Sequence, residues 1–86
     1  MSADIKELHG RILAFLYWEG QVDPNYLTVD NIQEETDLTD AIIQDGLNFL
    51  REDGFVECNI REKDVRIVEA KITMRGIDEA KSRLDI

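Results

Sequence analysis

Apolar side chains recur at helical spacing near the start of the chain: Ile5, Leu8, Ile12, Phe15 and Leu16 form one stripe, and Leu13 widens it. Ser2 or Asp4 can cap this predicted helix, which runs to about Glu19 before Gly20. Tyr17 and Trp18 near its end are expected to cover the edge of the core, since large rings are usually mostly buried. His9 lies beside the stripe and reads as a partly exposed surface residue. A connection over 21–26 holds the single proline, Pro24, and Tyr26-Leu27-Thr28 suits a short strand.

The pattern then changes. Thr28 is a good N-cap for a second helix with Val29 and Ile32 apolar, and Leu38 follows in the turn. Thr39 caps a third helix, whose Ile43, Leu47 and Leu50 fall at i, i+4 and i+7. Asp53-Gly54 ends it, because glycine readily takes the left-handed conformation that closes a helix. Alternation replaces helical spacing from Phe55 onward, with Val56, Cys58 and Ile60 on one face. It resumes over 66–73, with Val68, Ala70 and Ile72 on one face, after the charged tip Glu62-Lys63-Asp64. A register with Val56 opposite Ile72 also sets Glu57 against Lys71 and Glu62 against Arg66, so opposite charges favour it. A last helix carries Ile77, Ala80 and Leu84 on one side, and Gly76 in its first turn allows a close approach to the sheet.

The predicted fold class is therefore α+β, mainly α. It is a three-helix bundle with a two- or three-stranded antiparallel wing and a C-terminal helix, in one domain over 1–86. The helix-turn-helix spans 28–54, the wing 55–73 and the last helix 74–85. The expected core is Leu8, Ile12, Phe15, Leu16, Ile32, Leu38, Ile43, Leu47, Leu50, Val56, Ile60, Val68 and Ile72.

Charge alters this picture more than composition does. The 86 residues carry a net charge of −9, placed unevenly. Residues 1–27 contribute −2, residues 28–54 contribute −7 with Arg51 the one cation, and residues 55–86 balance to zero. The negative charge thus sits on the helix-turn-helix, opposite to the usual footprint of a nucleic-acid reader. No apolar run approaches the roughly 20 residues needed to cross a bilayer, and no signal peptide is evident, so a cytoplasmic protein is expected. One cysteine, Cys58, suits a reducing compartment, and one histidine leaves no Cys/His zinc site. No phosphate-binding glycine loop, nucleophile–base pair or metal-ligand spacing is present, so neither an enzyme nor a cofactor is expected.

Three stretches resemble winged helix-turn-helix domains of small prokaryotic and archaeal transcription regulators. They are Leu38-Thr39, the run from Leu47 to Val56 (LNFLREDGFV), and the closing Ile72-Thr73-Met74-Arg75-Gly76-Ile77, which is similar to an I-T-x-x-G return from the wing. The resemblance implies that helix 39–53 enters the major groove and that the wing, around 60–66, touches the neighbouring backbone or minor groove. It would place Asp40, Ala41, Gln44, Asp45 and Asn48 toward the groove, with Arg61, Lys63 and Arg66 toward phosphates. Gln44 and Asn48 suit adenine chemically; Asp40 and Asp45 depart from the basic or neutral residues common in the family. The resemblance also implies a homodimer, paired through its first and last helices. Winged helices also dock proteins, so a basic protein partner bound without DNA is the alternative, with Ile42 and Phe49 on the helix flank as its contact candidates.

Overall fold

A computed structural model describes residues 5–20 and 25–84 of the chain, and the side chains from Leu8 onward within the first helix. The proposed caps Ser2 and Asp4 and the proline at 24 lie outside the described residues. The elements run α1 (Ile5–Glu19), β1 (Leu27–Thr28), α2 (Val29–Thr36), α3 (Asp40–Glu52), β2 (Val56–Arg61), β3 (Arg66–Ile72) and α4 (Met74–Leu84). The three strands form one antiparallel sheet in the order β1-β3-β2.

Local chemistry explains where the helices begin and stop. Thr28 Oγ1 accepts the Asn31 amide at 3.1 Å, and Thr39 Oγ1 accepts the Ile42 amide at 3.4 Å, each satisfying a donor left open by the first turn. Asp37 closes α2 with φ at +60° and its own amide on Gln33 O. At the end of α3, Gly54 takes φ +80°, Gly54 N–H donates to Arg51 O, and Phe55 N–H donates to Leu50 O. That pair of bonds is a Schellman closure, and it aims the chain into the wing.

The wing returns to the body through one threonine. Thr73 Oγ1 accepts the Gly76 amide at 3.0 Å, starting α4, and donates to Gly54 O at 2.7 Å. Its backbone N–H donates to Phe55 O at 3.0 Å. A Cβ on Gly76 would stand 2.1 Å from Phe55 O, so only glycine fits there. The I-T-x-x-G stretch is a cap, a strap and a close approach in six residues.

One core gathers Ile12, Leu13, Leu16 and Tyr17 of α1, Val29 and Ile32 of α2, Leu38, the α3 face Ile43-Leu47-Leu50, Val56, Ile67, Ala70 and Ile72 of the sheet, and Ala80 of α4. Leu8, Phe15 and Ile60 pack against it half-buried.

Three expectations need correction. Val68 is not in the core; Ile67 is, at 1% exposure. The ladder runs as expected from Val56–Ile72 to Asn59–Glu69 and then slips by one residue to Ile60–Ile67 and Arg61–Arg66. The bulge leaves Val68 unpaired and turns Ile67 inward. Glu62 therefore does not face Arg66. His9 is 5% exposed rather than a surface residue, because Gly46 lets α3 come close. A Cβ at Gly46 would lie 3.1 Å from the His9 ring and 2.6 Å from Ile12. Trp18 does not cover the core; it is 57% exposed, edge-on to the buried Tyr17 at 5.1 Å between centroids.

Candidate nucleic-acid interface

The candidate surface is built by α3 and the β2–β3 hairpin. Helical geometry gives α3 three edges. Ile43, Gly46, Leu47 and Leu50 face the core. Asp40 and Gln44 turn toward the wing. Ala41, Asp45, Asn48 and Glu52 form the outward ridge.

Two contacts bind the wing-side edge of α3 to β3. Gln44 Nε2 donates to Ile67 O at 2.8 Å, and Ile67 N–H donates to Gln44 Oε1 at 3.0 Å. The Gln44 amide, expected to face a base, is thus used on both sides by the wing backbone. Beside it, both guanidinium nitrogens of Arg66 donate to the Asp40 carboxylate, one of them at 2.6 Å. Each side chain is about one-third to two-fifths exposed. The Arg66 fork holds the Asp40 carboxyl below the usual carboxylate range, with Gln44 adding a smaller push the same way.

The other residues singled out in the sequence occupy different settings. Ala41 and Asp45 are exposed. Asn48 is half-buried, and its Oδ1 accepts from Arg51 at 2.9 Å. Arg61 forks onto Asp64 across the wing tip, at 3.0 and 2.5 Å. Lys63 is exposed and meets no carboxylate among the described residues. Arg61 and Arg66 stand opposite each other in the ladder, an unfavourable placement for like charges that the two carboxylate partners offset. On the flank, Ile42 packs half-buried against the core, while Phe49 is 41% exposed and stacks on His9 at 4.7 Å between ring centroids. Ordinary packing therefore accounts for Ile42 and for one face of Phe49.

Sequence reasoning missed the Asp40–Arg66 fork and the double bond of Gln44 to Ile67. Neither has a local signature, since each joins residues more than 20 positions apart. Cys58 is half-buried on β2, and burial pushes its thiol up to about 11, which fits the structural role read from the alternation. No group of three metal-ligating side chains occurs among the described residues.

No protein-family profile and no curated protein sequence matches the chain. Solved structures do. A mutant of Lactococcus lactis ZitR superposes with a TM-score of 0.70 at 20% identity, over 94% of this chain and 57% of that one. Staphylococcus aureus MepR, described as a transcription regulator of the multidrug efflux pump MepA, gives 0.68 at 20% identity, over 91% of this chain and 54% of that one. MepR in its DNA-binding conformation gives 0.69 at 20% identity, over 91% and 55%. The chain thus spans little more than half the length of these proteins. At such identity the likeness speaks for the fold alone, and with the elements above it is decisive there: the chain is a winged helix-turn-helix domain, α2 and α3 its helix-turn-helix and β2–β3 its wing.

Proposed function

We propose that this chain is the DNA-contacting module of a transcription regulator, reading duplex sequence with α3 and gripping phosphates with the wing. One observation carries the reading. Gln44 and Asp40 fasten α3 to β3, so the helix ridge and the wing form a single preorganised surface of the kind a groove and its flanking backbone require. Similarity of fold to MepR in a DNA-binding conformation supports the same reading.

On this surface Ala41, Asp45 and Asn48 are the base-facing candidates. Ala41 suits a thymine methyl, Asp45 accepts from a cytosine amino group, and Asn48 suits adenine once it exchanges its bond to Arg51. Gln44 positions the wing instead of touching a base. Lys63, Arg61 and Arg66 supply the phosphate contacts. The two arginines do so by exchanging Asp64 and Asp40 for phosphate oxygens, a swap the planar guanidinium fork permits. Each exchange leaves a carboxylate beside the duplex, so affinity falls in the weak, strongly salt-sensitive range of non-specific complexes unless base contacts add to it.

A homodimer belongs to the same reading, because one winged helix offers one half-site. Its contact would lie along α1 and α4, where Gly10, Leu13, Ala14, Ala80 and Leu84 border a mostly apolar groove of about 540 Å³. Sedimentation should show a species of twice 9.9 kDa at high concentration; a 9.9 kDa species alone would remove the dimer.

A second reading rests on the outward ridge of α3, which presents Asp45 and Glu52 and no cation, within a segment of net charge −7. Such a ridge suits a basic protein. Passage over heparin at low salt separates the two: retention that salt reverses supports DNA binding, and flow-through supports protein docking.

A further inference from the structure

The tip of the wing carries a residue that its backbone does not suit. Val65 has φ at +52°, in the left-handed region where Cβ crowds the carbonyl, and branching at Cβ makes this worse. It is the last residue of the turn 62–65 that joins the paired Arg61 and Arg66, a place that glycine or asparagine would fill with little strain. Packing does not account for valine either. At 78% its exposure is the greatest of any large hydrophobic side chain among the described residues. A residue kept against both backbone preference and burial points to a contact made outside the chain.

The surroundings narrow what that contact is. Lys63 projects from the same turn without a carboxylate partner among the described residues, and Arg61 and Arg66 flank its base. Asp64, the nearest acid in sequence, is held by Arg61 on both oxygens. An apolar tip between cations complements a DNA minor groove, which has phosphate walls and an interior of sugars and base edges that accepts apolar wedges.

We propose that Val65 is an apolar wedge seated in the minor groove, with Lys63 on the adjoining phosphate. The inference rests on the DNA-binding reading above. Its contribution is removal of the isopropyl group from water, which releases no counterions, so it adds affinity without adding salt dependence.

The test compares the full chain with Val65→Asn and Lys63→Ala on a fluorescent random-sequence duplex of roughly two helical turns, over a salt titration, with melting temperatures measured alongside. Val65→Asn should raise the melting temperature by about 5 °C, as the left-handed strain is relieved. It should weaken binding about tenfold with an unchanged salt slope. Lys63→Ala should lower the slope by about 0.9. Equal binding by wild type and Val65→Asn would overturn the wedge alone, as would a lower melting temperature or a changed slope for that variant. Absence of wild-type binding at low salt would overturn the DNA-binding reading and the wedge with it.

Discussion

The side-chain amide of Gln44 and the backbone of Ile67 bond to each other twice, Nε2 to O at 2.8 Å and N–H to Oε1 at 3.0 Å. The amide stands in for a peptide unit of a missing strand. β1 pairs with β3 only at Ala70 and Glu69 before the chain turns into α2, and Gln44 covers the β3 edge that β1 leaves open. Gln44→Ala would leave a part-buried donor and acceptor unpaired, and urea unfolding should show a loss of about 1–3 kcal/mol. A side chain waiting only for a base would change stability by less than about 0.5 kcal/mol when truncated.

Two helical glycines should respond in opposite directions to alanine. Gly76→Ala places a Cβ 2.1 Å from a backbone oxygen and 2.8 Å from Ile72, so it should destabilise by about 1–3 kcal/mol or more. Gly10 lies inside α1 with only Arg83 Nη1, at 3.6 Å, near the new methyl. Gly10→Ala should therefore stabilise by up to about 1 kcal/mol. Thermal melts of the two variants check both signs.

The bulge makes a further pair of variants informative. Ile67→Ala empties a site that is 1% exposed and should cost about 2–5 kcal/mol, as should Leu47→Ala at 0%. Val68→Ala, at the unpaired residue, should cost clearly less. Equal losses at 67 and 68 would mean that β3 keeps an unbroken alternation.

Those residues also mark how far the sequence could be read. Thr28, Thr39 and Gly54 act through atoms a few positions away, so caps, helix phases and the entry to the wing were legible from local chemistry. The Val56–Ile72 and Glu57–Lys71 pairings were legible because alternation and charge agreed on them. Past Asn59 alternation misled, since a bulge inverts the facing of every later residue without altering composition. The burial of His9 depends on Gly46, 37 positions away, and the partner of Arg66 on a helix packed from elsewhere. The resemblance correctly anticipated the fold, but not that the wing would occupy Gln44.

Cys58 gives a prediction in pH. Its ordinary thiol value of 9.0 is raised to about 11 by burial, so the folded state favours the protonated form. Stability from this source is complete below about pH 9 and declines as pH rises toward 11. A thiol reagent at neutral pH should label folded protein slowly and urea-unfolded protein fast. Equal rates would place the thiol in open solvent.

The central claim is that α3 and the wing form one DNA-binding surface whose Arg66 is held by Asp40 until a phosphate displaces it. Acidification does not release the arginine, because Arg66 keeps the Asp40 carboxyl charged to below its ordinary 3.8. Asp40→Asn does, and it retains an oxygen that can still accept one bond in the free protein. The direct measurement is anisotropy of a fluorescent duplex titrated with wild type and with Asp40→Asn at several salt concentrations. Wild type should bind weakly, with a slope of log affinity against log salt of roughly 2–3 per monomer, and Asp40→Asn should bind several-fold more tightly. No wild-type binding at low salt, or an affinity that Asp40→Asn leaves unchanged, would contradict it.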